Sequence, residues 1–186
     1  SKFDNSGSSV SSAGDVNGDG FDDLIVGAPY DSNAGASFVV FGKADGTAVE
    51  LSAIESGTGG FVINGVAVGD EAGFSVSSAG DVNGDGFDDL IVGAPNDDPN
   101  ASNAGASFVV FGKAGGTAVE LSAIESGTGG FVINGVAAGD KSGFSVSSAG
   151  DVNGDGFDDL IVGAPLDDRN GTNSGASFVV FGKADG

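Results

Sequence analysis

Cysteine, histidine, methionine and tryptophan are all missing from these 186 residues, and tyrosine occurs once, as Tyr30. Without thiols or imidazoles the chain has no thiolate nucleophile, no histidine acid–base chemistry and none of the usual zinc ligands. No disulfide can staple the fold, and the redox compartment is left open. Positive charge is also scarce. Six basic residues (Lys2, Lys43, Lys113, Lys141, Arg169 and Lys183) stand against 27 acidic ones, for a net charge of −21. So sparse a set makes no basic patch for a phosphate backbone, and nucleic acid is not expected as a partner. No apolar run approaches the ~18 residues needed to cross a bilayer, and no charged-then-apolar leader opens the chain, so a soluble mature form without membrane insertion is expected.

What the chain has in abundance is glycine, 36 residues of it, and repetition. The stretch D-V-N-G-D-G-F-D-D-L-I-V-G-A-P occurs three times unchanged, from Asp15, Asp81 and Asp151. Each copy sets side-chain oxygens at positions 1, 3, 5 and 9 of a loop, with glycines between them that permit tight backbone turns. Calcium is a hard cation that takes roughly 6–8 oxygens at about 2.3–2.6 Å, and a short loop that aims several carboxylates at one point suits it. The expected ligands are Asp15, Asn17, Asp19 and Asp23 with the carbonyl of Phe21; then Asp81, Asn83, Asp85 and Asp89 with Phe87; then Asp151, Asn153, Asp155 and Asp159 with Phe157. That predicts three calcium ions per chain. A plain Asp/Asn/Gly turn is the simpler reading, but repulsion among its carboxylates would penalise it without a cation. An EF-hand is excluded, because its bidentate Glu at position 12 is replaced by Val26, Val92 and Val162. Asp22, Asp88 and Asp158, at loop position 8, are expected to face solvent.

The chain is one segment, 1–186, in repeats of approximately 1–66, 67–136 and 137–186. With 39% hydrophobic residues it has enough apolar material for a core. Within the second repeat four strands are predicted: Phe74 to Ala79, Leu90 to Ala94, Ser107 to Phe111 and Phe131 to Asn134. Thr117 to Glu125 reads as a loop with a short helical turn. Leu-Ile-Val is continuously apolar, the pattern of a strand covered on both faces, as where sheets stack around an axis. The third repeat stops before any counterpart of Phe131 to Asn134, which gives eleven strands and a third unit without its outer strand. Residues 35–95 and 105–165 differ at only four of 61 positions, Asp45/Gly115, Val68/Ala138, Glu71/Lys141 and Ala72/Ser142. Recent amplification or deliberate design would each explain such uniformity. The variable loops are Tyr30 to Ala34, Asn96 to Ala104 and Leu166 to Ser174, where length change marks a surface.

The pattern G-x-S-V…A-G-D-V-N-G-D-G-x-x-D-L-I-V-G-A-P, present in all three repeats, closely resembles the FG-GAP repeat of integrin α-subunit β-propellers and their bacterial relatives. The resemblance implies an all-β propeller of four-stranded antiparallel blades, three per chain, with calcium in the loop between the first and second strands. It further implies a non-enzymatic, extracellular or cell-surface module for adhesion, protein binding or scaffolding, in which calcium is a structural staple. One departure is that the family's Phe before the motif glycine is replaced by Ser6, Ala72 and Ser142, with Phe74 and Phe144 two positions on and Ser8 as their counterpart.

Two other classes stand beside it. A sugar-binding propeller would want an exposed Trp or Tyr on each blade, which Tyr30 alone does not supply. A glycosidase would want paired carboxylates about 5–9 Å apart, for which Asp97/Asp98 and Asp167/Asp168 are the candidates. Finally, three blades would have to turn about 120° each to close a ring, where propellers have about 4–8. A homo-oligomer is therefore expected: a dimer of six blades first, a trimer of nine next.

Overall fold

A computed structural model describes residues 4–184. Each repeat forms one antiparallel sheet. The first contains β1 (Ser9–Gly14), β2 (Asp23–Ala28), β3 (Ala36–Val40) and β4 (Gly60–Asn64), with a short helix α1 (Leu51–Glu55) between the last two. The second contains β5 (Ser75–Gly80), β6 (Asp89–Ala94), β7 (Ala106–Val110) and, after β8 (Val119–Glu120) and α2 (Leu121–Glu125), β9 (Gly130–Asn134). The third contains β10 (Ser145–Gly150), β11 (Asp159–Ala164) and β12 (Ala176–Val180). Strands follow in chain order across each sheet, so these are four-stranded blades of a propeller, the third having three strands among the described residues. The four strands predicted in the second repeat all form, within a residue at each end.

The innermost strands β1, β5 and β10 carry the same six residues, S-V-S-S-A-G, and β5 packs against both β1 and β10. Small side chains are what that convergence requires. The second strand, D-L-I-V-G-A, is likewise identical in all three copies, yet only β6, in the middle blade, is buried along its whole length. Its β-branched residues are covered by a blade on each side, as a continuously apolar strand demands. The main core joins Val16, Ile25, Val39 and Phe61 of the first blade to Val76, Leu90, Phe108 and Leu121 of the second. A second cluster joins Val82, Ile91 and Val109 to Val146, Leu160 and Val162.

The segment read as a loop with a helical turn contains more. β8 pairs in parallel with β4 of the preceding blade, Ile63 opposite Val119 and Asn64 opposite Glu120, and α2 then buries Leu121 and Ile124. Two of the three positions where the family has Phe are tight bridges between blades: Ala72 lies beside Gly35 and Ser142 beside Gly105, both nearly fully buried, while Ser6 is exposed. A Cβ at Gly35 would come within 2.2 Å of the Ala72 carbonyl, so small residues fit there. Phe74 and Phe144 pack against one another instead, ring centroids 4.8 Å apart and planes tilted by 48°.

Candidate metal loops

All three predicted loops sit at one place in the blade, between its first and second strands. Ladder register shifts between Ser12 and Gly14, and likewise in the other two copies, so each loop leaves the sheet through an irregular step. Within the first loop, Asp15 accepts from the amides of Asp19 (3.0 Å) and Gly20 (2.9 Å), Asn17 from Asp19 (2.8 Å), and Asp19 from Phe21 (2.9 Å). Asp81, Asn83 and Asp85 repeat this pattern, and so do Asp151, Asn153 and Asp155. These amide bonds, led by that from Gly156, hold the Asp151 carboxyl below its ordinary range.

The ninth-position carboxylates differ. Asp23, Asp89 and Asp159 are 0% exposed. Asp23 accepts from Val16 (3.1 Å) and Gly42 (2.8 Å), Asp89 from Val82 (3.1 Å) and Gly112 (2.9 Å), and Asp159 from Val152 and Gly182 (both 2.9 Å). Each thus ties its loop to the far end of the third strand. Burial pushes Asp89 up to about 7 in spite of its two amide donors, and the charges of Asp85 and Asp81 add to the rise; Asp23 moves the same way for the same reasons. A cation beside such a group would reverse that penalty.

The donor types fit a hard cation. Every candidate is a carboxylate, amide or carbonyl oxygen, and a carboxylate keeps lone pairs beyond those engaged with amides. Among the described residues, however, no three acidic side chains already converge on one point. Their oxygens are turned onto the loop's own amides.

Position 8 departs from expectation. Asp88 is half-buried and engaged: its Oδ2 accepts from the Asp15 amide of the preceding blade (2.7 Å), while its own amide donates to the Asp15 carbonyl (3.2 Å). Asp158 clasps Asp81 in the same two ways, at 3.2 and 3.3 Å. Asp22, in the first blade, meets no such loop among the described residues and is exposed. The phenylalanines also do more than offer a carbonyl. Phe87 lies against Gly18 and Phe157 against Gly84, where an added Cβ would fall 2.7 and 2.6 Å from the ring. The first two loops are therefore plugged by the next blade, a role whose only trace in the sequence is that F-D never varies.

The paired acids of the variable loops serve local backbone. Asp98 accepts from the Asn103 amide and Asp168 from that of Asn173 (2.6 Å), while Asp167 holds Arg169 at 2.7 Å. That guanidinium keeps Asp167 below its usual range.

Blades of this topology with an acidic loop after the first strand define a β-propeller of the integrin type. The FG-GAP repeat model matches residues 6–40, 72–110 and 142–180, and the chain belongs to that family. It is 34% identical over 160 residues to integrin alpha-7 of Mus musculus, covering 82% of this chain and 12% of the relative. With integrin alpha-5 of Xenopus laevis it shares 33% over 161 residues, 82% of this chain and 14% of the relative. A phosphatidylinositol-glycan-specific phospholipase D of Dictyostelium discoideum is 32% identical over 180 residues, 90% of this chain and 19% of that protein. The chain thus spans less than a fifth of the length of these relatives.

Proposed function

We propose that this chain is a calcium-stapled, non-enzymatic propeller module of an extracellular or cell-surface protein, serving adhesion or protein binding. One observation supports the calcium reading: three identical loops rich in carboxylate and amide oxygens, each closed by a fully buried ninth-position carboxylate. The ligands would be Asp15, Asn17, Asp19, Asp23 and the Phe21 carbonyl, with Asp81, Asn83, Asp85, Asp89 and Phe87, and Asp151, Asn153, Asp155, Asp159 and Phe157, in the other copies. A bound ion supplies charge compensation. The chain's part is to hold the loop by its amide bonds and the buried Asp against the third strand. The adhesion reading rests on similarity to integrin alpha subunits, and the extracellular setting suits sites filled at high calcium.

Titration calorimetry on calcium-stripped protein tests this. Three ions per chain are expected, falling to two in Asp85→Ala, with magnesium competing poorly because it demands tighter octahedral geometry. Zero or one ion per chain, or an Asp85→Ala variant that keeps three, overturns it.

A further inference from the structure

We propose that a second copy of this chain docks head-to-tail against the first, its first blade on the partner's third blade, and that two such contacts close a ring of six blades. Among the described residues the blade-to-blade junction occurs twice, and the outer faces of the first and third blades present the two complementary halves of that junction.

The exposures show this position by position. Val16 and Val82, on the leading faces of the first and second blades, are 0% and 1% exposed, but their counterpart Val152 is 57% exposed. On the trailing faces Leu90 and Leu160 are 0% and 1% exposed, while Leu24 is 54% exposed. The identical sequences leave position in the array as the only cause. The polar groups follow suit. The Val16 and Val82 carbonyls accept from the amides of Lys113 and Lys183 in the next blade, at 2.8 and 2.9 Å. Asp88 and Asp158 clasp the preceding loop, and Phe87 and Phe157 plug it. On the third blade the receiving places are open: an added Cβ at Gly150 or Gly154 meets nothing within 4 Å, whereas at Gly14 and Gly80 it would strike Asp88 and Asp158. The exposed Asp22 and Phe21 of a second copy are the groups that match them. Asp22 would take the Asp151 amide, Phe21 would cover Gly154, and the Lys43 amide would reach the Val152 carbonyl. The partner thereby completes the third acidic loop, which no blade within the described residues plugs.

This contact is heterologous, and such contacts form rings when the rotation closes. Six blades at about 60° each lie within the range of known propellers, and nine do not.

Sedimentation velocity over a range of concentrations tests the assembly, independently of ion stoichiometry. The chain is expected to reach a two-copy mass. Val152→Asp and Leu24→Asp, both at exposed positions, should each remain a folded single chain by circular dichroism. Mixed in equal amounts they should pair, because each retains the half that the other has lost. A wild-type chain that stays single at every concentration, a three-copy mass, or a variant that still self-associates alone overturns the proposal.

Discussion

Asp97 and Asp167 hold equivalent places in two repeats, and the residue two positions on separates their fates. Asp167 is met by Arg169; Asp97 is followed by Pro99 instead, and its buried Oδ2 has no hydrogen-bond partner. Burial, with Asp70 nearby, pushes Asp97 up to about 6 from 3.8. Because the folded value is raised, the folded chain holds the proton more tightly than the unfolded one, and stability falls as pH climbs from about 4 to 6. The penalty is complete above that window and is on the order of 1–3 kcal/mol. Asp97→Asn is therefore expected to raise Tm at neutral pH and to flatten its slope between about pH 4 and 6. Thermal melts across that range, compared with wild type, decide it; an unchanged slope would place the proton elsewhere.

At the scale of strands and loops, repetition provides its own controls. An added Cβ at Gly93 would lie 2.0 Å from the Gly143 carbonyl of the next blade, whereas at Gly163 the nearest atoms are 3.5 Å away. Gly93→Ala should cost about 1–3 kcal/mol in denaturant melts of the dilute chain, and Gly163→Ala close to nothing. Asp88→Ala should cost about 1–2 kcal/mol by removing a charge-assisted bond between blades. The same change at Asp22, measured where single chains prevail, should stay within about 0.5 kcal/mol. These contrasts also mark what the sequence could disclose. Strand periodicity and the Asp/Asn/Gly loop are local signals, so β5, β6, β7 and β9 and the position of the loop between the first two strands were legible from residues alone. The clasp by Asp88 was not, because an Asp in a turn reads as solvated until its neighbouring blade is in place. β8 was hidden for a related reason: Val119 and Glu120 become a strand only by pairing with Ile63 and Asn64, 56 residues earlier. Ala72 and Ser142 looked like losses of bulk, and only the Gly35 and Gly105 bridges explain them.

For the whole molecule, stability is a sum over blade junctions and, on the proposed reading, over the calcium ions that the loops would hold. At calcium about 100 times the dissociation constant, each occupied loop would add about 2.7 kcal/mol. Excess chelator at neutral pH is therefore expected to lower Tm by many degrees, and an unmoved melting curve would make the ion peripheral. The blade count was readable from three copies of one motif. The way its ends are left open was readable only in outline, since no residue type distinguishes a covered Leu90 from a bare Leu24. The pentapeptide G-F-V-I-N occurs as both β4 and β9, but β4 has β8 along its outer edge, with Asn64 Nδ2 donating to Glu120 Oε1 at 2.7 Å. Among the described residues β9 has β7 alone, and its Phe131 is only partly covered where Phe61 is fully buried. Backbone amides of residues 60–64 should then exchange with deuterium more slowly than those of 130–134, because one edge opens only with its neighbour while the other frays by itself. One peptide sequence would keep two different clocks, set by its place in the array.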